Sequence, residues 1–219
     1  MIRKLIKHIT HPALKFFTEK YFNNTRNYTY NEITVEVIPS VFPPHYTLST
    51  KILLDYISNL DLENKMFLEL GCGSGIISLL AASKGAIVTA SDINKNALNT
   101  LINSAKSNNL VVKTKYSDLF DELSINPFDV IIINPPYYPK QPKSVKEKAW
   151  FCGENFEFFK KLFQQLSQRT DKDIFMILSE DCNINKIGKI ASNHSLSLTK
   201  IFEKKVLGER NSIFKLLLS

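Results

Sequence analysis

Hydrophobic positions along this chain recur with two periods, and the switching between them predicts an architecture. From residue 66 onward, short apolar runs alternate with stretches of helical spacing. MFLEL (66–70) reads as a buried strand, and a glycine cluster at 71–75 leads into the helix IISLLAAS (76–83). AIVTASD (86–92) predicts a second strand, 94–107 a helix, VVKTKYSD (111–118) a third strand and FDVIIIN (128–134) a fourth. In ENFEFFKKLFQQLSQ (154–168), Phe156, Phe159, Leu162, Phe163 and Leu166 fall on one helical face. DIFMILS (173–179) is a fifth strand, 181–192 a helix, and SLSLTKIFEKK (195–205) and NSIFKLLLS (211–219) are two closing strands. Strands that alternate with helices imply crossover connections and a parallel sheet. The last two strands are too close for a crossover, so the final one must run antiparallel. The expected fold class is α/β, with a seven-stranded, mostly parallel sheet whose last strand is antiparallel.

Upstream the pattern is less regular. Ile2, Leu5, Ile6, Ile9, Leu14, Phe17 and Phe22 have mostly helical spacing, interrupted at His11-Pro12, which predicts a broken helix over 2–22. NEITVEVIP (31–39) alternates like a strand. Pro39, Pro43 and Pro44 mark a bend before a helix holding Leu48, Ile52, Leu53, Tyr56 and Ile57. The expected division is a short helical and strand extension over 1–40 and one α/β domain over 41–219.

Composition narrows the class. A chain of 219 residues with 44% apolar and 22% charged residues excludes disorder, collagen and coiled coil. No run of about 18 uncharged apolar residues is present, so no membrane span is expected. MIRKLIKHITHPALKFF lacks both a continuous apolar segment and a small-residue cleavage site, unlike a signal peptide. Cys72, Cys152 and Cys182 form no CxxC pair, which fits free thiols in a reducing, cytoplasmic setting. His8, His11, His45 and His194 have no ligand spacing with them, so no metal is expected. The net charge is +7, of which residues 1–30 carry +5 through Arg3, Lys4, Lys7, Lys15, Lys20 and Arg26 against Glu19. Such an extension can track phosphates or be a solvated helix face.

The glycine cluster is the first candidate chemistry. Glu69-Leu70-Gly71-Cys72-Gly73-Ser74-Gly75 follows a strand and opens a helix, and Asp92 ends the next strand. Glycines let the backbone turn sharply and let a ligand approach, and a carboxylate in the position of Asp92 can accept both hydroxyls of a ribose. Dinucleotides and S-adenosylmethionine (SAM) both suit such a loop. The GxGxG spacing, the acidic residue ahead of it and the antiparallel final strand resemble the class I SAM methyltransferases, which have a Rossmann-like sheet. That resemblance implies SAM as cofactor. It implies that Glu69 organises the loop and reaches the methionine ammonium, with Gly71, Cys72, Gly73 and Gly75 as the cradle. Asp92 and Ile93 would then face the ribose, and Asp118 and Leu119 the adenine. For Asp118 a capping or turn aspartate is the alternative reading. The Cys72 thiol is assigned no chemistry.

Asn134-Pro135-Pro136-Tyr137 directly follows the buried fourth strand, at the sheet edge where open α/β folds bind ligands. Two prolines lack N–H donors and leave outward carbonyls that need partners. A planar NH₂ group would supply them, one hydrogen to the Asn134 side-chain oxygen and one to the Pro135 carbonyl, with Tyr137 stacked on its plane. The tetrad resembles that of amino-methyltransferases acting on glutamine amides, adenine N6 or guanine N2, and the resemblance also counts Asn134 among the cofactor-binding residues. Over 41–219 the chain most resembles the release-factor glutamine methyltransferase family and its small-methyltransferase-domain relatives. The stretch from Val41-Phe42-Pro43-Pro44 through Ser49-Thr50-Lys51 resembles the one that closes over SAM and substrate in that family. This puts Thr50 and Tyr138 on the substrate side, with Thr47 and Ser49 as further hydroxyls. Helix capping is the alternative reading of the three hydroxyls. Two features depart from it: the N-terminal region is short, and Lys140, Lys143, Lys146 and Lys148 follow the tetrad. The expected reaction is methyl transfer to a glutamine amide of a translation protein. The alternatives are a tRNA or rRNA amino group, or a non-catalytic nucleic-acid-binding protein on the same fold. A monomer is the expected state.

Overall fold

The computed structural model describes residues 23–45, 47–167, 172–206 and 208–218, and the helix expected over 2–22 lies outside them. The described residues begin with a hairpin of β1 (Arg26–Tyr30) and β2 (Ile33–Val37), followed by α1 (Leu48–Ile57), β3 (Met66–Leu70), α2 (Ile76–Ser83) and β4 (Ile87–Asp92). It continues through α3 (Lys95–Ser107), β5 (Lys113–Tyr116), β6 (Val130–Ile133), the short α4 (Val145–Lys148) and α5 (Glu157–Leu166). β7 (Asp173–Ser179), α6 (Ile184–Ser192), β8 (Leu196–Val206) and β9 (Glu209–Leu218) complete it.

Strands β3 to β9 form one seven-stranded sheet in the order β5-β4-β3-β6-β7-β9-β8. The pairs from β5 to β7 are parallel, and β9 runs antiparallel to both β7 and β8, as the short closing connection requires. Helices cover both faces, which is why β3, β6 and β7 are nearly all apolar rather than alternating. Successive side chains enter different cores. Phe67 and Ile132 join Leu53, Leu79 and Leu101 on one side, while Leu68, Ile131 and Ile133 join Phe159, Phe163 and Ile187 on the other.

Strand order reverses beside β3. The chain moves outward through β4 and β5, then returns to lay β6 against the other edge of β3. The crevice beyond the carboxyl ends of β3 and β6 is therefore the place for a ligand. The glycine cluster leaves β3 there, and Asn134 leaves β6.

Several elements differ from the expectation. The strand β1 is not among the elements the pattern predicts. Tyr28 and Tyr30 do alternate with polar residues, but the signal depends on recognising Asn31-Glu32 as a two-residue turn, which takes φ of 44° and 69°. Asn108 at the end of α3 ties down β2, accepting the Thr34 N–H at 3.0 Å and donating to the Thr34 carbonyl at 2.7 Å. Ile33, Val35 and Val37 enter the same core as α1 and α3, so this hairpin packs with the sheet rather than apart from it. The third strand is shorter than 111–118, since only Lys113–Tyr116 pairs with β4.

Candidate functional site

The glycine loop is shaped by where its N–H groups go. Gly71 and Cys72 both donate to the Ser91 carbonyl at 2.9 Å, and Gly75 donates to the Cys72 carbonyl at 2.8 Å. Gly73 donates to Oδ2 of Asp92 at 2.9 Å, and Oδ1 of the same carboxylate accepts the Asn94 N–H at 2.8 Å. Asp92 thus stitches the loop to the start of α3, which Asn94 caps through the N–H groups of Asn96 and Ala97. Gly71, Gly73 and Gly75 all have left-handed φ, of 77°, 51° and 73°. A Cβ on Gly75 would overlap the Leu101 side chain as well. Gly75→Ala therefore combines a left-handed backbone penalty of about 1–2 kcal/mol with displacement of a buried leucine. Chemical denaturation should show a loss of at least that size.

Glu69 is turned inward. Its Oε2 accepts both the backbone N–H of Ser78, at 2.9 Å, and the Ser78 hydroxyl. The carboxyl thus lies against the first turns of α2, where a negative group is favoured by the helix dipole. Burial nevertheless pushes its pKa up to about 8, opposed by the two Ser78 bonds and reinforced by Asp92. Burial also raises Asp92, even against its backbone donors.

This arrangement favours one of the two ligands that suit such a loop. A pyrophosphate needs free N–H groups at the loop and helix start. Here Gly71, Cys72, Gly73, Gly75 and Ser78 have committed theirs, which leaves those of Ser74, Ile76 and Ile77, and a carboxyl group stands against the helix. Two buried carboxyls with raised pKa values instead favour a cation beside them. SAM carries its positive charge on an ammonium and a sulfonium, so the residues present fit it. Oε1 of Glu69 can accept a further donor, and each Asp92 oxygen keeps a lone pair.

One cavity of about 350 Å³ collects most of the residues singled out from the sequence. Its walls include Glu69, Gly71, Cys72, Gly73, Asp92, Ile93, Asp118, Leu119, Thr50, Asn134, Pro135 and Pro136. That size suits a small-molecule site. Gly75 shapes the loop from outside the wall. Asp118 is half-exposed and pairs with Lys161 at 3.2 Å, and the same ammonium reaches Asp121 at 2.7 Å. The carboxylate of Asp118 is thus held at the wall by an ion pair, which a linear reading of residues 116–120 does not reveal.

Asn134 sits where β6 ends, and its Nδ2 donates to the Thr50 hydroxyl at 3.5 Å. Tyr137 and Tyr138 lie outside the cavity wall. Their rings pack together with centroids 4.7 Å apart, and Tyr137 rests against the core beneath α5 and α6. Burial, then the neighbouring Tyr138, holds the Tyr137 phenol far above its usual value, so it stays protonated. Burial likewise pushes Cys152 to about 11 and Cys182 to about 12, and Cys72 well upward, so none of the three supplies a thiolate at neutral pH.

The segment leading into α1 lines the cavity from the N-terminal side through Ser40, Val41, Phe42 and Thr50; the resemblance places 41–51 there, and Ser40 is the residue it does not include. Ser40 accepts from Nδ2 of Asn94 at 3.3 Å through its carbonyl and at 3.1 Å through its hydroxyl. Phe42 packs on Trp150 with centroids 4.4 Å apart, joining this segment to the one after the tetrad. Among the described residues, no helix is long and apolar enough to cross a membrane.

Residues 32–152 match the methyltransferase small domain family. A Methanocaldococcus jannaschii protein described as a candidate protein N5-glutamine methyltransferase is 40% identical over 109 residues, covering 49% of this chain and 52% of that one. The ribosomal RNA small subunit methyltransferase C of Buchnera aphidicola subsp. Cinara cedri is 32% identical over 126 residues, covering 57% of this chain and 35% of its own. The chain thus spans about half or less of the length of these curated relatives. Among solved structures, the E. cuniculi Mtq2–Trm112 complex responsible for methylation of the eRF1 translation termination factor superposes with a TM-score of 0.63 at 21% identity, covering 82% of this chain and 99% of that one. At that identity the likeness shows the shared fold.

Proposed function

This chain belongs to the methyltransferase small domain family, whose relatives here are class I SAM methyltransferases, and on that premise we propose that it methylates the side-chain amide nitrogen of a glutamine in a translation protein. The observation that carries the reading is the placement of Asn134 and Pro135 on the same cavity wall as Glu69 and Asp92. SAM, when bound, supplies an electrophilic methyl group on its sulfonium. The chain's own contribution is orientation. The Asn134 side-chain oxygen and the Pro135 carbonyl accept the two hydrogens of an NH₂ group and turn its lone pair toward that methyl group. An amide nitrogen is a poor nucleophile because its lone pair is delocalised, and accepting both hydrogens returns electron density to it. The methyl carbon–nitrogen bond forms as the carbon–sulfur bond breaks, the electron pair stays on sulfur, and the extra proton leaves the nitrogen for water. Such catalysis is positioning and electrostatics without a strong base. It agrees with a site whose thiols and phenol stay protonated.

The amide is preferred as acceptor because the M. jannaschii relative is described as acting on glutamine and is the more similar of the two curated relatives. The solved neighbour that acts on a termination factor is covered over almost its whole length, so a fold of this extent serves that substrate class in that protein. Partners on this reading are a protein of the translation machinery and, in the second reading, structured RNA. The second reading rests on Lys148 at the cavity wall and on the rRNA-modifying relative.

Extract from cells lacking this gene, incubated with the protein and radiolabelled SAM, separates the two. Protease-sensitive label that yields N5-methylglutamine on digestion is expected. Ribonuclease-sensitive label would transfer the reading to a nucleobase amino group, and absence of label would defeat both.

A further inference from the structure

The segment that precedes β3 holds a chain of three oxygen atoms leading away from Asn134. Asn134 Nδ2 lies 3.5 Å from Thr50 Oγ1, Thr50 Oγ1 lies 3.0 Å from Thr47 Oγ1, and Thr47 Oγ1 donates to the Pro43 carbonyl at 3.2 Å. Counting hydrogens fixes the direction of every link. The Pro43 carbonyl has no hydrogen, so the single Thr47 hydroxyl hydrogen goes to it. Thr47 then has only a lone pair for Thr50, which must donate its own single hydrogen there. Thr50 in turn offers Asn134 only a lone pair, and of the two ends of the amide only the NH₂ can meet it. The Asn134 side-chain oxygen is the end left for the cavity.

We infer that Thr50 is a positioning residue for methyl transfer: with Thr47 and the Pro43 carbonyl, it sets which end of the Asn134 amide faces the acceptor nitrogen. The inference rests on the amino-methyltransferase reading above. Its physical point is the choice between two nearly isosteric states. An Asn134 amide turned over would present its own NH₂ to the substrate NH₂, donor against donor, and the lone pair of the acceptor would lose its orientation. Hydrogen bonds arranged in one direction along a chain reinforce each other, and each link here points from the site toward Pro43. Thr50 lines the cavity but is buried, which limits how far water can replace the link. The hydroxyls of Thr47 and Thr50 are thereby assigned to holding Asn134 instead of binding substrate or capping α1, whose first residues carry no side-chain cap bond from Thr47. The same segment engages the cofactor side through Ser40 on Asn94, so one stretch of chain braces both halves of the site.

The test compares Thr50→Val, which keeps shape and loses the hydroxyl, with Thr50→Ser, which keeps the hydroxyl. Thr50→Val should lower the rate of label transfer at saturating SAM by about ten- to a hundredfold, with the SAM dissociation constant unchanged within about twofold. Thr50→Ser should restore most of the rate. In ¹H–¹⁵N spectra, the Asn134 side-chain NH₂ resonances, identified by their loss in Asn134→Asp, should move upfield in Thr50→Val and in Thr47→Val and stay in place in Thr50→Ser. Resonances and rate unchanged in Thr50→Val would overturn the inference. So would a loss of rate that Thr50→Ser fails to restore and that a fall in melting temperature or SAM affinity accounts for, since that is packing. The spectra need no methyl acceptor. If Asn134→Ala itself leaves transfer unchanged, the methyl-transfer reading falls, while the spectra still report on the link between Thr50 and Asn134.

Discussion

Asn134→Ala is expected to lower methyl transfer at saturating SAM by about a hundred- to a thousandfold, the range found when one preorganised hydrogen-bonding group is removed from a reacting centre. The argument is one of geometry. β6 is fully buried and ends at Ile133, so the backbone at Asn134 is fixed by a strand that cannot shift without opening both cores. Pro135 follows with its φ locked. The two acceptors proposed for the substrate hydrogens are therefore held on adjacent residues. Removing one of them leaves a delocalised amide with no reason to aim its lone pair. SAM affinity should change little, within about threefold, because the groups that suit its charged and hydroxylated parts, Glu69 and Asp92, lie at the ends of other strands. Single-turnover transfer and calorimetric titration of the same preparation separate the two effects. An unchanged transfer rate would end the proposed mechanism, and equal losses in both measurements would mean that Asn134 serves the cofactor pocket. Asn134→Asp should fall between wild type and alanine. It keeps an oxygen acceptor, but it has no hydrogen to give Thr50.

The parts of this site that can be read from sequence are those in which strand, turn and chemistry are contiguous. Gly71 to Gly75 sit between a strand and a helix whose periods are unambiguous, Asp92 closes the next strand, and the tetrad follows an apolar run too short for a helix. Topology then does the rest, because parallel strands bring their carboxyl ends to one edge. What could not be read depends on pairs distant in sequence. Thr50 meets Asn134 across 84 residues; the resemblance puts Thr50 on the substrate side, but nothing local marks it as a partner of Asn134. Lys161 holds Asp118 from the polar side of an amphipathic helix, which looks like a solvated face. Tyr137 is expected to stack on the acceptor group, but in the structure it packs against the second core and lies off the cavity wall, a placement that depends on α5 and α6 and not on the tetrad's own residues. The unforeseen hairpin is of the same kind. Its β2 edge is satisfied by Asn108 and Ser104 of α3, partners that no window of neighbouring residues contains.

Glu69 gives the site a pH dependence whose sign can be worked out. Its carboxyl ionises near 4.5 when exposed and near 8 in the folded protein. Between those values the native state holds a proton that the unfolded chain has released, so this group's contribution makes stability fall as pH rises, by at most about 1.4 kcal/mol per unit. A ligand ammonium beside the carboxyl reverses the preference and favours the ionised form. Binding of SAM below pH 8 should therefore release a proton, and its affinity should rise with pH by up to about tenfold per unit until the carboxyl is ionised without help. Above that point the gain ends because the carboxyl is already ionised, and affinity falls as the ligand's own α-amino group loses its charge. Calorimetric titration in two buffers of different ionisation enthalpy measures the released proton directly. Glu69→Gln keeps the size of the side chain and an oxygen acceptor for Ser78. It should weaken binding most at pH 8 and flatten the profile below it. A profile that stays steep in Glu69→Gln would assign the proton to another group, with Asp92, also raised by burial, the next to test. A wild-type profile already flat between pH 6 and pH 8 would mean that the ammonium does not reach Glu69, and that the carboxyl serves only to hold Ser78 and the start of α2.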